Sequence, residues 1–224
     1  MTMLRNIVTT ATASTLAMFA TFAYAQGVIK IGDVNSYKSQ PTHLERYKKG
    51  AELALEEINA AGGVNGKKLV VIFRDDNGNP GDAVRAAEEL ISGEHVDALS
   101  GSFLSSVALA LTDFAKQKKV FFLATMSLSD KMIWQNGNRY SFRLRSGTYT
   151  QTAMLVAEAA KLKKKRWAIL YPNYEFGQSA AAAFKQMLKA AQPDVEFVAE
   201  QAPALGKLEG GSVVQALADA KPDA

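Results

Sequence analysis

Short runs of β-forming residues alternate with longer amphipathic segments along most of this chain. Parallel strands need this order, because each connecting helix returns the chain to the same end of the sheet. The four predicted strands of the first part span residues 28–31, 69–73, 96–99 and 120–123, and the first ends at Gly32-Asp33. The segments between them carry apolar residues at spacings of three and four, as amphipathic helices do. The alternation predicts an α/β fold with a parallel sheet covered by helices on both faces.

The same alternation restarts after a linking strand at residues 140–145. Helical patterns at 150–162, 179–191 and 212–220 surround two further predicted strands at 167–171 and 195–198. We therefore predict two lobes, residues 26–145 and 146–224. The second is expected to be incomplete, because two strands make an unusually small sheet. The last four residues stand where another strand should begin, so we interpret the sequence as the first part of a longer protein.

The first 25 residues have the layout of a secretory signal. Arg5 supplies a positive start, residues 7–22 are uncharged and mostly apolar or small, and Ala23-Tyr24-Ala25 places small residues at the two positions that a signal peptidase reads. A membrane anchor is the alternative, but the apolar run is short and ends in a cleavage site. We predict cleavage before Gln26 and a periplasmic mature protein.

Charge and composition exclude several classes of function. Removal of residues 1–25 takes away only Arg5, so the formal net charge falls from +4 to +3, which is too mild to favour a nucleic-acid partner. The chain has no cysteine, which excludes thiolate metal ligands and thiol nucleophiles. His43 and His95 are its two histidines, and no nucleophile-elbow motif accompanies them. We predict that the protein is not an enzyme and needs no cofactor.

Hydroxyl side chains follow two neighbouring strands of the predicted sheet. One group follows strand 96–99 at a helix start, and the other follows strand 120–123. The residues are Ser102, Ser105 and Ser106, and Thr125, Ser127 and Ser129. Ligands of parallel sheets bind beyond the carboxyl ends of the strands, and helix N-termini with serine donors suit an anion such as a carboxylate. The alternative is ordinary N-capping, a common role of serine.

Several stretches together resemble the periplasmic leucine/isoleucine/valine-binding family of ABC-transporter receptors. The resemblance rests on the helix-to-turn-to-strand block that ends in Ala61-Gly62-Gly63-Val64-Asn65-Gly66, on Asp75-Asp76, and on Tyr174-Glu175-Phe176-Gly177-Gln178-Ser179. It covers everything after the signal. It implies a two-lobed periplasmic-binding fold, a small-molecule ligand between the lobes, an inner-membrane permease partner and a monomer.

The resemblance also implies roles for individual residues. Ser105, Ser127 and Ser129 match positions that bind the ligand's carboxylate and, in amino-acid binders, its ammonium. From the second lobe, Tyr149, Tyr174 and Phe176 are candidates for aromatic contacts over the ligand. The loop after the first strand departs from the family pattern, so Tyr37 stays outside the predicted site.

The identity of the ligand stays open at this point. A branched-chain amino acid is expected first, because the family binds such ligands. The family's acidic partner of the ammonium would lie beyond Ala224, and Phe142-Arg143-Leu144-Arg145 resembles relatives that import small acids, including aromatic ones. An aromatic or other organic acid, or an amide or urea ligand of a sensor, is therefore the alternative. Asp75-Asp76 suggests a metal, but we predict that these carboxylates are solvated or cap the loop.

Overall fold

The computed structural model describes residues 27–224 and confirms the predicted α/β fold with parallel sheets flanked by helices. The predicted signal peptide lies outside the described residues. The first sheet has five parallel strands in the order β2-β1-β3-β4-β5. Its strands are β1 Val28–Asn35, β2 Lys68–Asp75, β3 Ala98–Gly101, β4 Phe122–Ala124 and β5 Ser141–Arg143. The helices between them are α1 Pro41–Ala60, α2 Pro80–Ser92, α3 Ser105–Lys118 and the short α4 Lys131–Trp134.

The second sheet has two parallel strands, β6 Arg166–Leu170 and β7 Glu196–Gln201. Its helices are α5 Thr148–Ala159, extended by a 3-10 turn at Ala160–Leu162, then α6 Glu175–Ala191 and α7 Gly210–Asp219. The last two residues of the chain also bond to β6: Asp223 donates its N–H to the carbonyl of Arg166, and Ala168 donates to the carbonyl of Ala224. The strand β6 therefore has a second backbone partner, the end of the chain, in addition to β7.

The main core lies between the first sheet and the helices α2 and α3. Leu90, Leu99, Leu111 and Phe122 are almost fully buried there. Burial of each such side chain contributes on the order of 1.5–3 kcal/mol. Gly32 of β1 is required by this packing, because a Cβ atom at that position would lie 2.8 Å from Cδ1 of Leu90. The core thus holds β1, β3 and β4 in the register that fixes the positions of their carboxyl ends.

Several predicted boundaries were wrong by a few residues. Strands β3 and β4 begin two residues later than predicted, because Val96 and Val120 bond back to the preceding helices at Leu90 and Ala115. An apolar residue just beyond a helix often packs back in this way. Strand β1 continues past Gly32-Asp33 to Asn35.

Helix α1 begins at Pro41, and helix α6 begins earlier than its apolar pattern suggested. Pro41 occupies the first turn of α1, where its missing N–H costs no hydrogen bond. Helix α6 starts at Glu175 rather than Ser179, after an extended Tyr174. This earlier start places an acidic residue in the first turn of α6, next to the carboxyl end of β6.

Asn59, near the end of α1, fixes the edge strand β2. Its side-chain amide donates to the carbonyl of Leu69 and accepts the Leu69 N–H, both at 2.8 Å. The intervening turn reverses through Gly62 and Gly63, and a Cβ on Gly63 would overlap the carbonyl of Lys67. The side chain of Asn59 therefore satisfies backbone groups that an edge strand would otherwise leave unpaired.

Candidate functional site

The three predicted ligand-binding serines come together at the carboxyl edge of the first sheet. Ser105 begins α3 after β3, and the segment 127–129 follows the neighbouring strand β4. The Ser105 Oγ accepts the backbone N–H groups of Leu128 at 3.3 Å and Ser129 at 3.2 Å. Ser105 therefore contacts the loop as the strand order predicts.

The position of Ser105 tests the N-capping interpretation. The N-cap of α3 is Leu104, and no side chain in the described part of the chain caps that end of the helix. Ser105 is the first helical residue, and its hydroxyl turns to the neighbouring loop instead of to its own helix. Ordinary N-capping is thus wrong for Ser105.

All three serines are buried and engaged with protein groups. Their exposed fractions are 1% for Ser105, 1% for Ser127 and 2% for Ser129. The Ser127 hydroxyl lies 3.3 Å from that of Ser102, and the Ser129 hydroxyl donates to Oε1 of Glu175 at 2.7 Å. A ligand that reaches these hydroxyls has to compete with these partners.

Arg143, at the end of β5, holds the same loop from its other side. Its Nη1 donates to the carbonyls of Leu128 at 3.2 Å and Ser129 at 2.9 Å, and its Nη2 bonds Asp130 Oδ1 at 3.0 Å. The side chains of Arg143 and Asp130 are only 12% and 9% exposed. The guanidinium therefore orients the loop carbonyls towards itself and leaves the loop N–H groups facing Ser105.

Asp130 links this loop to the start of α5. Its Oδ2 accepts the Thr148 hydroxyl at 2.7 Å and the Tyr149 backbone N–H. Gly147 passes so close that a Cβ there would overlap Asp130 Oδ1 and the Arg143 guanidinium. The loop after β4 and the first turn of α5 are thus joined through one carboxylate.

The three predicted aromatic residues lie in two different places. Tyr174 packs against the core of the first sheet, and burial raises the pKa of its phenol. Phe176 is half-buried, and its ring centroid lies 6.1 Å from that of Tyr174. Tyr149 packs edge-on against Trp134 and lines a groove of about 370 Å³ that also includes Gln178, whereas none of the three serines lines it. The structure therefore groups Tyr174 with Phe176 and separates the ring of Tyr149 from the serines.

Glu175 is a site residue that the sequence interpretation missed. Its carboxylate contacts Ser129 through Oε1 and Lys131 Nζ through Oε2 at 3.0 Å, and its side chain is only 10% exposed. An acidic residue shortly after a strand of the second sheet was the available signal. It was not used, because α6 was expected to begin four residues later.

A buried carboxylate network next to the serines was also missed. Asp33 of β1, 1% exposed, accepts the hydroxyls of Tyr37 at 2.6 Å, Tyr47 at 2.7 Å and Ser100 at 2.7 Å. Burial and then the charge of Asp33 raise the pKa values of both tyrosines, which keeps them protonated as donors. Thr125 bonds both the Tyr47 hydroxyl and the carbonyl of Gly101, so the network reaches the start of the loop after β4.

The pair Asp75-Asp76 stabilises the turn that follows β2. Asp75 accepts the N–H groups of Lys38 and Asn77, and Asp76 Oδ1 accepts that of Gly78 at 2.7 Å. Asp76 is fully buried rather than solvated, and its Oδ2 has no hydrogen-bond partner among the described residues. Within residues 27–224 no group of three or more histidine or acidic side chains is placed to hold a metal ion. The capping interpretation therefore fits the geometry of this turn.

Replacing Asp76 by asparagine is expected to stabilise the protein more at pH 7 than at pH 4. Burial raises the pKa of the Asp76 carboxyl above its unfolded value of about 3.9. Below that value the group is neutral in both states, but as pH rises through the raised folded-state pKa the fold must hold a buried carboxylate and loses stability. Asparagine keeps an oxygen for Gly78 and stays neutral. We expect the Tm of Asp76→Asn to exceed that of the native protein by about 2–8 °C at pH 7.

Thermal unfolding at pH 4, 5.5 and 7 measures this difference. Asp82→Asn is the matched control, since a hydrogen bond from Asn77 and the charge of Arg85 lower the pKa of that carboxyl. The control should show the opposite trend with pH. A Tm difference for Asp76→Asn that does not change with pH would contradict the prediction.

Comparisons with known proteins identify the family of this chain. The family model described as periplasmic binding protein matches residues 28–224. A Leu/Ile/Val-binding protein homolog of Brucella melitensis is 31% identical over 174 residues, which are 75% of this chain and 45% of that protein. A leucine-, isoleucine-, valine-, threonine- and alanine-binding protein of Pseudomonas aeruginosa is 30% identical over 79% of this chain and 48% of its own length. The chain thus spans about half the length of the curated relatives it matches.

A solved structure with a different ligand is similar as well. It is the solute-binding protein of an ABC transporter from Rhodopseudomonas palustris, in complex with 3,4-dihydroxybenzoic acid. It is 26% identical, and the match covers 88% of this chain and 53% of that one with a TM-score of 0.78. Among residues 27–224 no helix is long and apolar enough to cross a bilayer. The chain belongs to the periplasmic binding protein family, and the predicted resemblance to its leucine/isoleucine/valine-binding members is confirmed.

Proposed function

We propose that this chain is the periplasmic solute-binding component of an ABC transporter, exported through a cleaved signal at residues 1–25. It binds a small carboxylate-bearing ligand between two lobes, formed by residues 26–145 and 146–224, and delivers it to an inner-membrane permease. The cluster of Ser105 with the loop 127–129 at the sheet edge is the observation that carries this proposal. The role is one of binding and release without catalysis.

The hydrogen-bond pattern of Ser105 supports carboxylate binding. A serine hydroxyl has one proton and two lone pairs. Both backbone N–H groups of the loop bond to the Ser105 oxygen, and among the described residues its proton has no assigned acceptor. That proton is available to a carboxylate that enters between α3 and the loop, and Ser127 and Ser129 are the proposed hydroxyl contacts on the loop.

The second lobe supplies aromatic contacts in this proposal. Tyr174 and Phe176 are the chain neighbours of Glu175, which reaches Ser129 from the start of α6, and their ring centroids lie 6.1 Å apart. Tyr149 is tied to the site through its backbone N–H, which bonds Asp130 next to the loop. A ligand that contacts both lobes would favour their closed arrangement by the contacts made only there.

A branched-chain amino acid is the first ligand class that we propose. The relatives from Brucella and Pseudomonas are named for binding leucine, isoleucine and valine. An aromatic carboxylate is the second class, because the similar Rhodopseudomonas protein holds a dihydroxybenzoic acid. A thermal-shift screen of the protein expressed from its whole gene, with leucine, isoleucine, valine and benzoate, separates the two classes.

The double variant Ser105→Ala/Ser129→Ala is expected to weaken binding of the ligand found in that screen by about 30-fold or more. Loss of hydrogen bonds to a charged group costs about 2 kcal/mol, which corresponds to this factor. Isothermal titration calorimetry measures the change in Kd. Ser212→Ala, an exposed serine at the start of α7, serves as the control and should leave Kd within twofold. Unchanged affinity in the double variant would refute the proposed carboxylate site.

A further inference from the structure

The side chain of Glu175, which belongs to the second sheet unit, contacts Ser129 of the proposed ligand loop. It occupies the first helical position of α6, the helix that follows β6, whereas Ser129 follows β4 of the first sheet, 46 residues earlier in the chain. The Oε1–Oγ distance is 2.7 Å, and Ser129 is 2% exposed. A carboxylate of the protein itself therefore lies at one of the three hydroxyls proposed to hold the carboxylate of the ligand.

The hydrogen-bonding capacity of Ser129 allows only one such partner. Its single proton goes to Glu175, and its oxygen also accepts the backbone N–H of Lys131 at 3.3 Å. A second carboxylate can receive the proton of Ser129 only after Glu175 has moved away. The two anions therefore compete for one donor.

The charges around Ser129 also disfavour binding of a second carboxylate there while Glu175 is in place. Glu175 places a negative charge, on a side chain only 10% exposed, beside the site, and like charges at such range repel strongly when solvent is largely excluded. Lys131 pairs with Oε2 at 3.0 Å, but its own side chain is 52% exposed. Because an ion pair with such an exposed ammonium is weak, Lys131 does not prevent Glu175 from leaving Ser129.

We propose that Glu175 is an internal competitor of the ligand's carboxylate and so determines the affinity and selectivity of the site. A ligand carboxylate binds Ser129 as Glu175 withdraws, and the displacement of this protein anion lowers the apparent affinity. This inference rests on the proposed function, because it assumes a carboxylate ligand at the serine cluster. The Glu175–Ser129 contact itself does not depend on any ligand.

The binding test uses Glu175→Gln, which keeps the size of the side chain and removes its charge. In the protein expressed from its whole gene, we expect the Kd values for benzoate and for leucine to fall about tenfold, measured by calorimetry. Glu158→Gln, an exposed residue of α5 paired with Lys161, removes the same charge elsewhere and should change neither Kd by more than twofold. Unchanged affinity would overturn the competition. Weaker leucine binding would also overturn it, because Glu175 would then act as a partner of the ammonium group.

A second measurement tests the contact without ligand. Ser129→Ala, Glu175→Ala and the double variant are compared by thermal unfolding, and each single variant is expected to lower Tm by about 2–6 °C. The double variant should lose little more than the larger single loss, because either change removes the same bond. Additive losses would overturn the proposal. Non-additive losses together with no binding of either probe, in the native protein or in Glu175→Gln, would contradict the carboxylate function and the competition, but not the contact.

Discussion

The variant Arg143→Met is expected to lose about 3–5 kcal/mol of the free energy of unfolding. The substitution removes the positive partner of Asp130, and a charge left buried without its partner is among the most costly single changes in a protein. It also removes the donor that the Ser129 carbonyl has in Arg143, whereas the Leu128 carbonyl keeps the backbone N–H of Thr148 at 2.8 Å. Methionine keeps much of the side-chain volume, so the loss reflects charge and hydrogen bonding more than a cavity. Equilibrium unfolding in urea measures it.

Arg145→Met is the matched control for this prediction. Arg145 lies two residues further along the same segment and is exposed, so its loss should stay within about 0.5 kcal/mol. The combination Arg143→Met/Asp130→Asn should lose less than the sum of its two single changes, because neither charge is then left alone. If Arg143→Met were as mild as Arg145→Met, the ion pair would not stabilise the loop.

The variant Asp33→Ala is expected to lose a similar amount, about 3–5 kcal/mol. Three hydroxyls, those of Tyr37, Tyr47 and Ser100, donate to this one buried carboxylate. Each donor left unsatisfied in a site from which water is largely excluded costs about 1–3 kcal/mol, and partial rearrangement reduces the total. Removal of the buried charge itself offsets part of the loss. Urea unfolding again provides the measurement.

Asp113→Ala controls for the loss of a carboxylate from the same sheet unit. Asp113 is exposed on α3, and among residues 27–224 its carboxylate accepts one hydrogen bond, from Asn136, which is long at 3.4 Å. The single changes Tyr37→Phe and Tyr47→Phe should each cost about 1 kcal/mol, because each removes one bond and leaves the carboxylate with its other donors. A loss below about 1 kcal/mol for Asp33→Ala would show that the network contributes little to stability.

The fold could be predicted from the sequence because local patterns report it directly. Alternating strand and helix patterns are set by residues close together in the chain, and the structure follows them in both sheets. The errors at Val96 and Val120 have a shared cause. An apolar residue after a helix looks the same whether it starts a strand or packs back on the helix, and only the three-dimensional contact decides between them.

The candidate site could be predicted only in part. The strand order places Ser105 beside the loop after β4, so their contact followed from topology alone. The bond between Ser129 and Glu175 depends on how the second sheet lies against the first, and no local pattern carries that information. Asp33 was missed for another reason: Gly32-Asp33 is typical of a strand end, but here the strand continues through it.

The two hydrogen bonds between the Asn59 amide and Leu69 hold β2 against the end of α1, so the position of β2 does not depend on the conformation of the turn at residues 61–67. Because β2 is anchored independently, changes in the turn should not be transmitted to the ligand loop, which lies at the opposite end of the parallel strands. Ala61 is exposed there, and the chain contains no cysteine. A cysteine introduced at Ala61 would thus be the sole thiol within these 224 residues, at a point where a fluorophore or surface linker leaves the binding measurements undisturbed.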